Sequence, residues 1–254
     1  MTSAPVALVT GGGRRIGRSI CLALAEAGYD VAVHHRGASD AARDVVARIQ
    51  ALGRRGSPVS ADLTLENDLR ALLPQTAEKL GPATLLVNCA SLFEDDRAGG
   101  LSRERWDAHM QTNLRAPVVL AEAFAAQVPA QAQDGQACVI NILDQRVFKP
   151  NPQFFSYTLS KSALWTATRM LAQALAPRVR VNGVGPGPTL ASIHQDADEF
   201  AREAAAVPLG RAPEPEEIAA AVAYLARARA VTGQMIAVDS GQHLAWRTPD
   251  IVND

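Results

Sequence analysis

Apolar residues along the chain occur in short continuous runs that alternate with stretches of helical spacing. The run VALVT, Val6–Thr10, is mostly aliphatic and β-branched, which is typical of a strand buried on both faces. After it, Ile16, Ile20 and Ala23 recur on one side of a helix. Gly28 then marks the end of that helix, because glycine readily adopts the left-handed conformation at a helix C-terminus. This part of the chain therefore predicts a strand followed by a helix.

The same alternation continues along the rest of the chain. Further strands are predicted at Val31–Val33, Ser57–Leu63, Leu85–Ala90, Ala137–Leu143, Val179–Val184 and Met235–Asp239. Further helices are predicted at Ser39–Gly53, with Ser39 or Asp40 as the cap, and at Arg103–Gln127, Tyr157–Ala176 and Glu214–Arg227. Apolar strands that alternate with helices form a parallel, doubly wound sheet with helices on both faces. We therefore expect one Rossmann-type α/β domain over residues 1–254, with about seven strands. Gly185–Leu209 shows no clear strand and is a candidate lid.

Composition narrows the class of protein. The chain has 254 residues, with 25 Lys and Arg against 26 Asp and Glu, and this balance gives no support for nucleic acid or an acidic membrane as partner. Cys21, Cys89 and Cys138 lack disulfide or zinc spacing, so they are expected to be buried apolar residues in a reducing compartment, with no metal site. Met1–Pro5 lacks signal-peptide features, and no apolar run reaches the ~20 residues of a membrane span. We expect a cytoplasmic protein.

A glycine-rich turn, TGGGRRIG at Thr10–Gly17, joins the first strand to the first helix. Glycines let the backbone approach a phosphate, and the helix N-terminus adds free N–H groups and a positive dipole end. The turn therefore predicts a dinucleotide site, although its spacing is not the usual GxGxxG and a tight turn without a ligand is the alternative.

The end of the second strand bears on which dinucleotide binds. NAD-binding folds usually place a carboxylate there for the ribose 2′-hydroxyl, whereas arginine accommodates the 2′-phosphate of NADP. Here the sequence HHRGAS has no carboxylate before Asp40, and His35, Arg36 and Arg14 are available to a phosphate. The pattern favours NADPH, with ordinary solvated basic residues as the alternative.

Tyr157 and Lys161 are four residues apart on one predicted helix face, and Asp144 precedes the tyrosine by thirteen positions. A nearby cation favours phenolate, so the ammonium is expected to lower the pKa of the phenol and make it a better acid. An ionised carboxylate does not donate a hydrogen bond to a developing alkoxide. If Asp144 faces the substrate, it therefore suits N–H donors or a ring nitrogen to be protonated; a raised pKa that keeps it neutral, or an aspartate that only caps the loop, is the alternative.

Seven motifs in order make the chain resemble the short-chain dehydrogenase/reductase family over nearly its whole length. They are TGGGRRIG, NCAS (Asn88–Ser91), TNLRAP (Thr112–Pro117), YTLSK (Tyr157–Lys161), VNGVGPGPT (Val181–Thr189), PLGRAPEPEEIA (Pro208–Ala219) and VTGQMIAVDSG (Val231–Gly241). The resemblance implies that Tyr157 donates the proton, that Lys161 lowers its pKa and holds the nicotinamide ribose, and that Asn113 supports a proton relay. It also implies a homotetramer. The implied cofactor residues are Gly11, Arg14, Arg15, Ile16, Gly17, His35, Arg36, Asp62, Leu63, Asn88, Ala90, Ser91, Tyr157, Lys161, Pro186, Gly187 and Thr189.

Three positions depart from the common pattern of that family. Arg15 replaces a usual glycine, Cys89 replaces a usual asparagine, and Asp144 replaces the serine that bonds a substrate carbonyl. With Arg15, the Asp144, Tyr157 and Lys161 set and Phe93, the chain resembles the pteridine reductase branch of the family, and bacterial dihydromonapterin reductases are a second relative with a similar pattern.

The resemblance to this branch implies a substrate site. In it, Phe93 and the nicotinamide sandwich a pterin ring, although Phe93 as a core aromatic is the alternative. The implied substrate residues are Arg15, Ser91, Phe93, Asp144 and Tyr157. We expect an NADPH-dependent reductase of a C=N bond in a dihydropterin or dihydrofolate-like substrate. A carbonyl reductase and a non-catalytic NADPH-binding protein are the alternatives.

Overall fold

The computed structural model describes residues 4–37, 40–129, 135–191 and 195–246. Its centre is a seven-stranded sheet in which every pairing is parallel. The strands are β1 (Val6–Val9), β2 (Asp30–His35), β3 (Gly56–Ser60), β4 (Leu85–Asn88), β5 (Ala137–Ile142), β6 (Val179–Pro186) and β7 (Met235–Val238). Their order is β3-β2-β1-β4-β5-β6-β7, which confirms the doubly wound fold. The direction of winding reverses between β1 and β4, where such sheets bind ligands.

Helices cover both faces of the sheet. They are α1 (Arg15–Glu26), α2 (Asp40–Ala51), α3 (Glu66–Leu80), α4 (Arg103–Met110), α5 (Ala116–Gln127), α6 (Phe155–Leu175), α7 (Ala197–Ala205) and α8 (Pro215–Arg227). One buried cluster joins α3, α5 and α6 to the sheet, and a second joins α1, α2 and α8 to the opposite face. Each predicted helix is present, whereas α3 and α7 were not predicted. Helix α2 begins at Asp40; the alternative cap Ser39 lies outside the described residues.

The helix predicted over Arg103–Gln127 is interrupted by a wide turn. Between α4 and α5, Gln111–Arg115 forms a π-helical turn. Such turns occur frequently at functional sites because the extra residue redirects side chains. Asn113 lies inside this turn and is completely buried. The interruption therefore falls on a residue that the sequence places in the active site.

The remaining sequence expectations concern cysteines, metals and membranes. Cys21, Cys89 and Cys138 are free thiols. Among the described residues, no group of His, Cys, Asp and Glu is arranged to hold a metal ion. Within the same ranges, no helix has both the length and the apolar character needed to cross a bilayer.

Candidate active site

Four loops converge at the carboxyl-terminal edge of the sheet and carry part of the predicted site, while Tyr157 and Lys161 lie on α6 and Asn113 lies in the π turn. The glycine-rich turn follows β1, and residues 89–93 follow β4. Asp144 follows β5, and Gly187 and Thr189 follow β6. Parallel strands all end at the same edge, so residues distant in sequence become neighbours there.

Asp144 and Tyr157 form a direct hydrogen bond at the centre of this edge. The Tyr157 hydroxyl donates to Asp144 Oδ2 at 2.7 Å. The other carboxylate oxygen, Oδ1, accepts the backbone N–H of Arg146 at 2.8 Å and so caps the short 3₁₀ turn Gln145–Val147. Asp144 therefore caps the loop with one oxygen, as the alternative interpretation had it, and contacts the tyrosine with the other.

Burial dominates the acid–base character of this pair. It raises the pKa of Asp144 above its ordinary value, although the charge of Arg146 opposes the shift. It also raises the pKa of Tyr157 well above its ordinary value, and the adjacent carboxylate raises it further. The expected lowering of the Tyr157 pKa by Lys161 is therefore wrong in this geometry, because burial of the phenol and the adjacent Asp144 carboxylate both raise that pKa.

Lys161 is turned toward the backbone of β5. Its Nζ donates to the carbonyl of Ile142 at 2.8 Å and lies 5.8 Å from the centre of the Tyr157 ring. Burial lowers the pKa of Lys161 to about 8, with Asp144 partly opposing the shift. The Lys161 side chain thus lies one helical turn after Tyr157, and it loses its proton at mildly alkaline pH.

Asn113 holds the loop that follows β4. Its Oδ1 accepts the N–H of Leu92 at 2.8 Å and the hydroxyl of Ser91 at 3.2 Å. Its Nδ2 donates to the carbonyl of Leu92 at 2.9 Å and to Ser160 Oγ at 3.1 Å. Asn113 therefore fixes the segment that carries Phe93 to α6, which carries Tyr157.

Phe93 lies against Tyr157 rather than in the sheet core. Its ring meets Tyr157 edge to face, with centroids 4.7 Å apart. One face of Phe93 stacks on Phe154, with centroids 4.1 Å apart and planes within 9°. Phe154 has a left-handed backbone, φ 51°, directly before α6. Three aromatic rings thus form one wall beside Asp144.

A buried polar network missed by the sequence interpretation supports this wall. The backbone N–H of Glu94 donates to His109 Nε2 at 3.2 Å, and His109 Nδ1 lies 2.7 Å from Ser156 Oγ. Ser156 in turn bonds the buried carboxylate of Asp96 through both its hydroxyl and its N–H. Burial lowers the pKa of His109. The neutral tautomer with hydrogen on Nδ1 satisfies both contacts, so the network ties the Phe93 loop to α4 and to the residue preceding Tyr157.

The glycine-rich turn is tight and open to an anion. A Cβ on Gly17 would lie 2.2 Å from the carbonyl oxygen of Gly11, so a side chain there is excluded. The N-cap of α1, Arg14, supplies no side-chain hydrogen bond, and the first turn of α1 has no acidic residue. Arg14 and Arg36 are exposed beside it. These features fit the phosphates of a dinucleotide.

His34, which was not predicted as a site residue, holds this turn in place. The N–H of Gly11 donates to His34 Nδ1 at 3.0 Å, and His34 Nε2 lies 3.1 Å from the carbonyl of Ala61. Burial lowers the pKa of His34 to about 4, so the ring is neutral at pH 7. Its Nε2–H tautomer links the glycine turn to the residues after β3.

Arg15 bridges the glycine turn to the segment after β6. Its backbone φ is 51°, a left-handed value that explains why the family usually has glycine at this position. Its guanidinium donates to the carbonyls of Leu190 and Ala191, at 3.2 and 2.9 Å. This contact closes one side of the site.

The other predicted cofactor residues are distributed around the same edge. Asp62 accepts from the N–H and hydroxyl of Thr64, which lower the pKa of Asp62, and Leu63 is buried beside it. Asn88 points into the interior, where Nδ2 donates to Asn141 Oδ1 at 2.9 Å. Ala90, Ile16, His35, Pro186, Gly187 and Thr189 lie along the edge in the turns described above or at strand ends.

This fold and this Tyr157–Lys161–Asn113 arrangement define an oxidoreductase of the short-chain dehydrogenase/reductase class. A family model described as Enoyl-(Acyl carrier protein) reductase matches residues 12–243. The chain therefore belongs to the short-chain dehydrogenase/reductase family.

Particular relatives divide between two activities. A FolM Alternative dihydrofolate reductase 1 from Brucella canis, complexed with NADP, has a TM-score of 0.92 and 50% identity, covering 98% of this chain and 97% of that one. The Brucella suis protein of the same description is 51% identical, with a TM-score of 0.92 and 98% coverage of both chains. The 3-oxoacyl-[acyl-carrier-protein] reductase FabG of Staphylococcus epidermidis is 30% identical over 94% of this chain and 98% of its own length.

Proposed function

We propose that the protein is an NADPH-dependent reductase of a C=N bond in a dihydropterin or dihydrofolate-like substrate. The observation that carries the proposal is the Asp144–Tyr157 hydrogen bond of 2.7 Å beside the ring of Phe93. The two Brucella relatives support it, since their descriptions give dihydrofolate reductase and a complex with NADP.

NADPH supplies the hydride when it is bound, and this chain supplies its binding and orientation. The N-terminus of α1 and Gly11–Gly17 would hold the pyrophosphate, and Arg14 and Arg36 would contact the 2′-phosphate. Lys161 and Tyr157 would hold the nicotinamide ribose.

The substrate ring lies against the Phe93 side of the wall, with Asp144 accepting its N–H donors. Stacking of a flat heteroaromatic ring on an aromatic side chain contributes about 0.5–1.5 kcal/mol beyond area burial. Because the pKa of Tyr157 is raised, the phenol retains its proton at pH 7 and is available as the donor to a ring nitrogen. The hydrogen bond to Asp144 orients that hydroxyl.

A carbonyl substrate is the second candidate. The raised pKa of Asp144 favours its protonated form, which donates a hydrogen bond to a carbonyl oxygen as the usual family serine does. The ketoacyl reductase relatives support this candidate. A homotetramer and a cytoplasmic location are expected with either substrate; the candidate lid, residues 185–209, includes positions 192–194, which lie outside the described residues.

The test is NADPH consumption by the purified protein, with dihydrobiopterin, dihydromonapterin and dihydrofolate beside a panel of ketones, ketoacyl thioesters and quinones. NADH runs in parallel. Pterin or folate turnover with a preference for NADPH supports the proposal, and turnover of carbonyl compounds alone selects the second candidate. Tight NADPH binding without turnover of any compound selects a binding protein.

A further inference from the structure

Arg146 stands two residues after Asp144, inside the site, and one of its donors is unused. Its side chain is only 14% exposed. Its NH1 atom is fully buried and has no hydrogen-bond partner among the described residues. A buried donor left without a partner is costly, which makes a substrate atom its expected partner.

The position of this guanidinium is fixed from two directions. Its Nε lies 4.0 Å from Asp144 Oδ1, whose other neighbour is the Arg146 backbone N–H. Its Cζ lies 4.9 Å from the centre of the Phe154 ring and 5.7 Å from that of Phe93. The group is therefore held beside the aromatic wall and beside the carboxylate.

We propose that Arg146 is a specificity-determining substrate residue, which donates from NH1 to an acceptor atom next to the N–H that Asp144 accepts. The site then recognises a flat ring that presents a donor and an acceptor on adjacent atoms of one edge. This inference rests on the proposed function, and it adds the residue that donates a hydrogen bond to the acceptor atom of the substrate.

The same arrangement gives Arg146 a second effect on the reaction. Three charged or titratable groups face Asp144: Arg146 on its own loop, and Tyr157 and Lys161 on α6. The charge of Arg146 lowers the pKa of Asp144 against the effect of burial. Without Arg146 the carboxyl therefore takes up a proton at a higher pH than in the wild type and stops accepting substrate N–H groups at that higher pH.

Two substitutions separate donation from charge. Arg146→Met retains an unbranched apolar stem against Phe154 but removes donors and charge, whereas Arg146→Lys retains the charge without the planar fork. Lys149→Met is the matched control, because Lys149 is an exposed cation on the same loop that bonds the carbonyl of Ala245. Melting temperature and NADPH affinity check that each variant folds.

The measurements are kcat and KM for the dihydropterin and for NADPH, together with kcat/KM against pH. Arg146→Met is expected to raise the KM for the dihydropterin by about tenfold to a hundredfold, the effect of losing a hydrogen bond to a charged group. The KM for NADPH stays within about twofold, and the acidic limb of kcat/KM moves to higher pH. Arg146→Lys retains the wild-type limb but raises the KM, and Lys149→Met changes neither.

The outcomes distinguish failure of this inference from failure of the proposed function. If the wild type reduces the dihydropterin and Arg146→Met has the same KM and pH profile, Arg146 is not a substrate residue and the proposed function stands. If Arg146→Met folds and shows a lower kcat with an unchanged KM and an unchanged pH profile, the inference that Arg146 binds the substrate is also overturned. If the wild type reduces no pterin or folate, the proposed function fails and the inference fails with it.

Discussion

Replacing Asp144 by asparagine tests the carboxylate with little change in volume. Asp144 accepts two hydrogen bonds, at 2.7 Å from the Tyr157 hydroxyl and at 2.8 Å from the Arg146 N–H. The amide oxygen of asparagine replaces one acceptor, and its NH₂ group then faces the other donor. One charge-assisted hydrogen bond, worth about 1.5–3 kcal/mol, is lost.

The bond that a substrate N–H donates to the carboxylate is of the same charge-assisted kind, and its loss corresponds to a fall of about 10- to 150-fold in kcat/KM for a dihydropterin. The raised pKa of Asp144 also predicts that wild-type activity declines with acidification at a pH above the ordinary aspartate range, because the accepting form is the anion. Asp144→Asn lacks this acidic limb. The assay is NADPH oxidation followed by absorbance from pH 5 to 9.

The matched control is Asp107→Asn, which removes one exposed carboxylate that pairs with Arg103 on α4. It is expected to retain wild-type rates. Unchanged pterin kinetics in Asp144→Asn, with the acidic limb still present, would refute the reasoning that the carboxylate accepts a substrate N–H.

Three further predictions follow from individual side chains. Phe93→Ala raises the KM for the ring substrate by at least about 2- to 12-fold from lost stacking alone, measured beside an unchanged KM for NADPH; an unaltered substrate KM would place the ring elsewhere. His34 has a pKa of about 4 in the folded protein against 6.5 unfolded, so its neutral ring contributes stability above pH 6.5 that is lost as the pH falls toward 4, by up to about 3 kcal/mol. Urea unfolding of the wild type and of His34→Gln at several pH values measures how the free energy of unfolding changes with pH. The same pH dependence in both proteins would contradict this prediction. Lys161 has a folded pKa of about 8 against 10.5, so stability rises with pH between these values relative to Lys161→Met; a parallel pair of stability curves would show that Lys161 is not desolvated.

The sheet was predictable because its strands are short apolar runs buried on both faces, as in Ala137–Ile142. Helix α3 was missed because Pro74 interrupts its pattern and its apolar residues give a weak helical periodicity. The π turn at Gln111–Arg115 was also out of reach. This turn carries Asn113, whose hydrogen bonds to Leu92 and Ser160 join residues far apart in sequence, and no local pattern encodes such contacts.

In the site, Asp144, Tyr157 and Lys161 were identified from motif order, and the fold brings them together. The direction of the Tyr157 pKa shift was not predicted, because it depends first on the burial of the phenol and then on its 2.7 Å contact with Asp144, thirteen positions away. The Asp96–Ser156–His109 network was missed for a similar reason. Each member is an ordinary polar residue until α4, α6 and the Phe93 loop pack together.

The central claim is hydride transfer to the carbon of a C=N bond, and isotope transfer tests it most directly. The protein would be incubated with dihydrofolate and NADPH carrying deuterium at both nicotinamide C4 positions, and the product analysed by mass spectrometry. The account predicts tetrahydrofolate with one deuterium on a ring carbon. Recovery of unlabelled dihydrofolate, while ketones in a parallel reaction gain the deuterium, would contradict it.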